Sequence, residues 1–475
     1  MNNTIERWGI FELALNGPSD GNPFVEVDFG AIFRFSHREV KVRGFYDGRG
    51  VFRVRYMPDE IGAWNYITYS NTPLLQGKQG EFWCIPPSLG NHGPVSATAQ
   101  YYFTYADGTP YYPFGTTCYA WVHQGDDLEN QTLESLKHAA FNKMRMCIFP
   151  KDYSFNKNEP VCYPYEKDKE GKWDFTRFHP PFFTHLEQRI QALCSLGIEA
   201  DLILFHPYDR WGFAEMPAEM DDHYLRYLVA RLAAFRNVWW SLANEYDLMK
   251  TKQMEDWDRL FKLIQAEDPY QHPRSIHNCR PLYDHAKPWV THASIQHSDL
   301  ARVREWREQY RKPVVVDECC YEGNIEHNWG NISALELVHR LWLGTVGGGY
   351  VGHGETYLHS DDILWWANGG ELHGSSWERF GFLRSILEQA PPQLEPVSGI
   401  CRQPGIGKAG VYYLFYTGVH QPARIPLSLP EDLKFQIDLI DPWEMSIFRL
   451  SGMFHGKVML PMPGKPYLAL RIQKA

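Results

Sequence analysis

Residues 237–247, NVWWSLANEYD, contain an apolar run that ends abruptly in an amide and a carboxylate. The run has the length and composition of a buried strand. Before it, Leu225, Leu228, Leu232 and Phe235 recur at helical spacing and predict a helix. A helix that leads directly into a buried strand is typical of a parallel sheet with crossover helices.

The same alternation of helix and strand runs from about residue 110 to about residue 388. A second helical stripe, formed by Leu186, Ile190, Leu193 and Leu196, stops at Gly197, and IEADLILF (198–205) follows it as a strand. About 280 residues of such units suit a closed eight-unit barrel, whose usual size is ~250 residues. An open doubly wound sheet is the alternative, but no GxGxxG or Walker loop follows a strand. We therefore predict an α/β fold with a (β/α)8 TIM barrel.

Seven strands of this barrel can be assigned from the apolar runs. Strands one to four are FGTTCYAW (114–121), FNKMRMCIF (141–149), IEADLILF and NVWWSLA (237–243), strands five and six are RSIHN (274–278) and ASIQHS (293–298), and strand seven is KPVVVDE (312–318).

The two ends of the chain have a different pattern of short strands and turns. FVEVDF (24–29) and VFRVRYMP (51–58) alternate at period two without a helical stripe, which predicts an antiparallel sandwich. GVYYLFYTG (410–418), FQIDLID (435–441) and PYLALRI (466–472) predict a second β domain. The predicted division is a β-sandwich at 1–98, the barrel at 99–390 and a C-terminal β-sandwich domain at 391–475.

Composition excludes several classes of protein. Apolar content of 44% and charged content of 22% are those of a globular protein, and the net charge of −10 argues against nucleic acid or an anionic membrane as a partner. We find no signal peptide and no apolar run of the ~18 residues that a membrane span needs. Nine cysteines in scattered contexts predict reduced thiols and a cytoplasmic protein.

Glu245 and Glu318 both end predicted strands, and a charged group there costs desolvation energy unless it is paired or used. A single carboxylate at the end of a strand is explained equally well by a structural salt bridge and by a catalytic role. The two lie 73 residues apart, which fits three βα units and places them across the barrel mouth. Two facing carboxyls suit glycosidic bond cleavage, in which one is protonated and the other is charged. The sequence does not give their separation, which decides between retention and inversion.

An Asn-Glu pair after strand four and a second Glu after strand seven resemble the pattern of clan A retaining glycoside hydrolases. Two longer stretches, KPVVVDECCYEGNIEHNWGNISALELVHRLWLGTVGGGYVGHGETY (312–357) and DDILWWANGGELHGSSWERFGFLRSIL (361–387), look like a bacterial family of candidate glycoside hydrolases. In that family a sandwich, which RYMPDEIGAWNY (55–66) resembles, precedes the barrel and a small β domain follows it. The barrel also resembles, more distantly, the apiosidase-type barrels, in which a GTT segment opens strand one.

The resemblance implies a role for each matching residue. Glu245 would be the acid/base, Asn244 a ligand of the substrate 2-hydroxyl, and Glu318 the nucleophile. Many clan members place a Tyr after strand six to touch the nucleophile, whereas this chain offers Gln296 and His297. That departure leaves the sugar preference open.

Other residues near the predicted strand ends are candidates for substrate binding. Arg145 lies within strand two, where it would orient the nucleophile or form a salt bridge inside the barrel. Four histidines near the ends of strands three, five, six and eight would bind sugar hydroxyls, although a lone His is more often structural. Aromatic residues are candidates for stacking on a sugar ring. The candidates are His206, His277, His297, His353, Glu355, Tyr119, Trp121, Tyr321, Trp365 and Trp366.

Two other functions compete with the glycosidase prediction. A metal-dependent TIM-barrel hydrolase would use the same histidines, but strand one has no HxH and the chain has no HExxH. A catalytically inactive carbohydrate-binding protein would not need both carboxylates. We predict a retaining glycoside hydrolase that acts from chain ends on small glycosides or oligosaccharides, with carbohydrate as its substrate and no cofactor. The flanking β domains either shape the pocket or hold the subunits of a homo-oligomer together.

Overall fold

The structure, a computed structural model, describes residues 4–359 and 364–475. Parallel strands of its central part form two sheets in chain order. The five-stranded sheet contains Gly115–Thr117, Lys143–Cys147, Glu199–Phe205, Val238–Ala243 and Arg274–Ser275, which we call strands one to five. The three-stranded sheet contains Ala293–Gln296, Val314–Glu318 and Tyr350–Val351, which we call strands six to eight.

The two sheets approach each other at both edges. A parallel bridge pairs Thr116 of strand one with His353 beyond strand eight, and the His353 amide donates to the Gly115 carbonyl. At the other edge, no strand ladder joins strands five and six within the described ranges. The side chain of Asn278 spans this edge, since it donates to the Gln296 carbonyl and accepts from the Gln296 amide.

Helices connect these strands. They are Asp126–His138, Pro180–Ser195, Ala218–Leu232, Met254–Glu267, Val303–Tyr310, Ala334–Val346 and Trp377–Glu388. The predicted stripe of Leu186, Ile190 and Leu193 is buried in the second of these helices, and each such side chain contributes about 1.5–3 kcal/mol by burial. Gly197, at φ +71°, takes the left-handed conformation after that helix ends.

Two mainly antiparallel sheets lie before the parallel strands, and within them Thr4–Glu6 pairs with Gln79–Ile85 in parallel. One contains, in spatial order, Thr4–Glu6, Gln79–Ile85, Gly62–Ser70, Phe29–Phe35 and Arg38–Arg43, and the other contains Phe11–Asn16, Val51–Tyr56 and Phe45–Tyr46. Aromatic residues from both sheets share one core, in which the Phe33 and Tyr56 rings stack 4.2 Å apart and the Phe11 and Phe82 rings 4.3 Å apart. Val95–Ala99, Tyr102–Tyr105 and Pro110–Tyr111 form a small sheet that precedes strand one.

The strand predicted over residues 24–29 is wrong. Pro23–Glu26 is a helical turn, and the strand begins only at Phe29. Pro23 stands at the first helical position, which its fixed φ favours. The Phe24 ring packs edge-on against Phe178 and Tyr227, so contacts with the central part of the chain override the alternating pattern.

A buried ion-pair cluster joins these N-terminal sheets to the helices Pro180–Ser195 and Ala218–Leu232. Arg231 donates to Glu187 at 2.6 Å and to Asp47 at 2.7 Å, and Arg55 lies 2.8 Å from Glu187. An unpaired charge at this depth would be costly, and pairing of these opposite charges offsets that cost.

The C-terminal part is also made of antiparallel strands. Its six-stranded sheet contains Glu395–Pro396, Gly405–Lys408, Tyr412–Tyr416, Ala469–Lys474, Phe435–Asp441 and Ser446–Arg449, and Arg424–Ser428 pairs with Lys457–Pro461. The Tyr416 hydroxyl shares a 3.1 Å hydrogen bond with His339 of the helix Ala334–Val346. All nine cysteines are free thiols. No helix within the described ranges is long and apolar enough to cross a membrane.

Candidate active site

A cavity of 610 Å³ lies at the carboxyl ends of the parallel strands. Its wall contains both predicted carboxylates, Glu245 after strand four and Glu318 at the end of strand seven. Its aromatic members are Tyr119, Tyr153, Phe155, Tyr208, Tyr321, Trp329 and Trp366. Two acidic side chains among aromatic faces are suited to a ligand with a polar rim and apolar C–H faces.

Glu245 has an unusual backbone conformation. Its φ of 51° and ψ of 54° are left-handed, which is uncommon for a residue other than glycine. Its carboxylate accepts a hydrogen bond from the Tyr208 hydroxyl. Backbone strain of this kind tends to occur at functional sites.

Glu318 is almost fully buried. Burial raises the pKa of its carboxyl to about 8, although the Tyr321 hydroxyl opposes this shift. The nearest cation is Arg145, whose Nη1 lies 3.4 Å from Glu318 Oε1, and His277 Nε2 lies 3.9 Å from the same oxygen. Burial lowers the pKa of His277 well below its usual value, so this imidazole is neutral.

Arg145 also contacts the residue before the first carboxylate. Its Nη2 donates to Asn244 Oδ1 at 3.2 Å, and the Tyr119 hydroxyl donates to the same oxygen at 3.0 Å. With Oδ1 occupied, the amide NH2 of Asn244 remains to donate to a ligand. One guanidinium therefore orients both Asn244 and Glu318.

A second layer of charges lies beneath Arg145. The Lys143 ammonium lies 2.5 Å from Asp201 and 2.9 Å from Asp317, and Ser294 donates to Asp317. Burial raises the pKa of Asp317, but Lys143 and Arg145 outweigh burial and lower it overall. This buried network holds Arg145 in place from below.

Seven predicted site residues line the cavity. They are Tyr119, Asn244, Glu245, His297, Glu318, Tyr321 and Trp366. Arg145 does not line it but contacts two residues that do.

Three of the four predicted histidines do not lie on the cavity wall. His206 bonds the Phe149 carbonyl at 3.1 Å, and burial lowers its pKa to about 3. His353 bonds Thr116 at 3.0 Å, and burial likewise lowers its pKa to about 3. His277 lies behind Glu318. The prediction that these three bind sugar hydroxyls directly is therefore wrong, because a position near a strand end does not say which way the ring points.

Three further candidates are part of the core. Trp121 donates to the Glu129 carbonyl at 3.1 Å, and Trp365 donates to Thr116 at 2.9 Å. Glu355 accepts from the amides of His373 and Gly374. All three are buried away from the cavity, and their predicted contact with substrate is wrong.

The sequence analysis missed several residues of the wall. Tyr208 lies three residues beyond strand three, and Lys151 lies four residues beyond strand two. Cys279, Arg280 and Trp329 also lie in loops after strands. Active-site groups are expected in the loops that follow the carboxyl ends of the parallel strands. The sequence does not show which residues of these loops turn towards the cavity.

Several polar atoms near the two carboxylates have no hydrogen-bond partner in the part of the chain that the structure describes. They include the hydroxyl of Tyr153 and Oε1 of Gln296. Both residues line the cavity. Buried polar groups are normally paired, so these atoms are suited to a ligand rich in hydroxyls.

Potential metal-ligand clusters lie elsewhere. Within residues 4–359 and 364–475 the two groups with suitable spacing are Asp126, Glu129 and His185, and Glu322, His353 and Glu355. Neither contains a residue of the cavity wall. Arg189 pairs with Glu129, and the backbone of the 373–376 loop donates to Glu322 and Glu355, so protein groups already occupy these carboxylates.

Comparison with known proteins gives the family. The sequence model of the apiosidase-like catalytic domain matches residues 97–384. The chain belongs to the apiosidase-like family. Models of two domains of unknown function, DUF5060 and DUF5605, match residues 4–71 and 402–473. No curated protein matches the chain.

Two solved structures that are similar to this chain are described as glycoside hydrolases. A candidate glycoside hydrolase from Bacteroides vulgatus ATCC 8482 is 41% identical, with a TM-score of 0.94 and 100% of both chains covered. A glycoside hydrolase family 5 structure from the same organism has a TM-score of 0.64 at 14% identity, covering 81% of this chain and 94% of its own, and so shows the fold alone. The apiosidase-like protein is a glycosidase, in keeping with its resemblance to clan A enzymes.

Proposed function

We propose that this glycosidase retains anomeric configuration and cleaves O-glycosidic bonds by double displacement. The observation that carries the proposal is that Glu245 and Glu318, from strands four and seven, line one cavity with an aromatic wall. The parallel bridge between Thr116 and His353 supports a closed (β/α)8 barrel, in which the ends of strands four and seven face a common mouth.

The two carboxyls take different roles in this mechanism. Glu318 attacks the anomeric carbon while Glu245 gives its proton to the departing oxygen, and the glycosidic bond breaks. Glu245, now a carboxylate, then takes a proton from water, and the water oxygen displaces Glu318 from the anomeric carbon. Asn244, held by Arg145 and Tyr119, donates its amide N–H to the 2-hydroxyl of the sugar.

The raised pKa of Glu318 bears on these roles. Because burial raises the pKa of Glu318 to about 8, this carboxyl is protonated at neutral pH before substrate binds. Attack needs its charged form, which the neighbouring Arg145 guanidinium favours. The mechanism therefore uses the charged form of Glu318 in the complex with substrate, and Glu245, which the Tyr208 hydroxyl contacts, acts as the acid.

The shape of the site supports action at chain ends. The rings of Phe155, His327 and Trp329 pack together in the wall, with centres 5.5–6.1 Å apart, and Arg280, His297 and Ser298 also line the cavity. A cavity of 610 Å³ with this many large side chains in its wall accepts one terminal sugar more readily than the middle of a long chain. We therefore propose an exo-acting enzyme.

We also propose that the chain divides into a β-sandwich at 1–98, the barrel at 99–390 and a C-terminal β-sandwich domain at 391–475.

A panel of aryl glycosides tests the proposal. Proton NMR of the first product formed should show the same anomeric configuration as the substrate. An inverted first product, or undiminished turnover by Glu318→Gln, would contradict double displacement through Glu318.

A further inference from the structure

Lys151 is a buried cation that the proposed mechanism does not use. It follows strand two, lines the cavity and is only 2% exposed. Its Nζ lies 3.5 Å from the ring centre of Tyr119, 4.4 Å from those of Tyr153 and Tyr208, and 5.2 Å from that of Trp366. Four aromatic faces thus surround one ammonium group.

The Glu245 carboxylate attracts the ammonium electrostatically but forms no direct ion pair with it. Among the described residues, Lys151 Nζ donates no hydrogen bond and forms no ion pair. Cation–π contacts offset part of the cost of burying the charge, about 0.5–2 kcal/mol each. Ring faces leave the ammonium without a strong acceptor, so its N–H groups remain available to a ligand in the cavity.

A purely structural role explains this arrangement poorly. An apolar side chain would fill the space between four rings without any cost of desolvation. A charge retained in the wall of a ligand cavity, beside the proposed acid/base Glu245, is better explained by a ligand that pairs with it.

The charge of the whole cavity points to the kind of ligand. Lys151 and Arg280 line it, and Arg145 lies directly beneath. Its acidic members are Glu245 and Glu318, and burial keeps Glu318 protonated at neutral pH. The charge of Arg145 is balanced by Asp201 and Asp317 together with Lys143, so the wall itself has two cations, Lys151 and Arg280, against one other carboxyl, Glu245. This excess attracts an anionic group although the chain carries a net charge of −10.

We propose that Lys151 binds the carboxylate of a hexuronic acid unit, so that the substrate is an acidic glycoside. This assignment rests on the proposed glycosidase function and adds the substrate class to it. A carboxylate gives the ammonium both an acceptor and a counter-charge, whereas the CH2OH group of a neutral hexose gives only an acceptor.

Binding of matched ligand pairs tests this assignment. The pairs are the methyl D-glucuronides and D-glucosides, and the methyl D-galacturonides and D-galactosides, in both anomeric forms. Within a pair the ligands differ only in COO⁻ against CH2OH. Affinity is measured by ligand-observed NMR on Glu318→Gln protein, with and without Lys151→Met, which keeps an apolar side chain between the rings.

We expect at least one uronide to bind ten-fold or more tightly than its neutral partner, and Lys151→Met to remove this preference. Lys157→Met is the matched control, because Lys157 lies in the same loop but is exposed, and it should keep the preference. Absence of any uronide preference, or a preference that survives Lys151→Met, would overturn the assignment. Hydrolysis seen in the same spectra of Glu318→Gln would instead contradict the proposed function, so the two failures are distinguishable.

Discussion

The guanidinium of Arg145 lies 3.4 Å from the Glu318 carboxylate, although 173 positions separate the two residues in the chain. The same guanidinium donates to Asn244 at 3.2 Å. A planar guanidinium reaches both partners at once, which the single ammonium of lysine does not. Arg145 is therefore expected to position the proposed nucleophile and the proposed 2-hydroxyl ligand together.

Arg145→Lys should lower kcat by about 100-fold, the size of effect seen when a preorganised donor is removed from an active site. Steady-state kinetics on the best aryl glycoside measures this. Arg231→Lys is a matched control, since Arg231 is also buried and ion-paired but joins the N-terminal sheets, through Asp47, to Glu187 of the helix Pro180–Ser195. It should lower the melting temperature and leave kcat near the wild-type value. Wild-type kcat in Arg145→Lys would refute the positioning role.

Tyr208→Phe removes the hydroxyl that donates to Glu245. The proposed acid then loses its orientation, and protonation of the leaving group should suffer most. We expect kcat/KM to fall about ten-fold for a phenyl glycoside with a poor leaving group, within the 10²–10⁴ total effect of general acid catalysis. A dinitrophenyl glycoside needs little protonation and should be almost unaffected. Equal losses on both substrates would argue against a link between Tyr208 and the acid.

Trp366→Ala should weaken substrate binding. Trp366 lies in the cavity wall, where its ring packs against Trp329 at 4.9 Å and Tyr119 at 5.2 Å. Loss of a stacking face of this size should raise KM by about ten-fold or more, since an aromatic contact contributes about 1 kcal/mol beyond its burial. Trp366→Phe should recover part of the loss. An unchanged KM in Trp366→Ala would show that the sugar does not contact this ring.

The raised pKa of Glu318 predicts how stability depends on pH. The folded protein binds a proton on Glu318 up to pH about 8, while the unfolded chain releases it near its ordinary value of 4.5. The unfolded state then binds fewer protons, so stability falls as pH rises through this window. Glu318→Gln has no proton to lose, and its melting temperature relative to wild type should increase between pH 5 and pH 8.

Glu199 provides a control for this measurement. Burial raises its pKa to about 8 as well, but it begins strand three, at the opposite end from the cavity, and accepts from Trp239. Glu199→Gln should show the same pH-dependent gain in stability and retain full turnover. A gain in Glu318→Gln that does not depend on pH would show that Glu318 is ionised in the folded protein.

Sequence patterns predicted the elements that have strong periodicity. Strand seven ends at Glu318 as the run KPVVVDE indicated, and Glu245 follows strand four. The helical turn at Pro23–Glu26 was not predicted, because the Phe24 contacts that favour it come from residues more than 150 positions away.

The site was predicted less completely than the fold. His206 and His353 lie near strand ends but turn into hydrogen bonds with the Phe149 carbonyl and Thr116. Lys151 and Tyr208 lie a few residues past their strands, in loops whose path has no periodic signal. Side-chain direction at a strand end depends on local backbone angles, such as the left-handed φ of Glu245, which sequence periodicity does not encode.

Covalent trapping tests the central claim most directly. The protein is incubated with 2-deoxy-2-fluoro glycosides that carry dinitrophenyl leaving groups, which slow the second displacement and let the glycosyl–enzyme intermediate accumulate. Peptide mass spectrometry then locates the added sugar. The account predicts the sugar on the peptide that contains Glu318, and no label on Glu318→Gln. A label on Glu245, or an equal label on the Glu318→Gln variant, would contradict it.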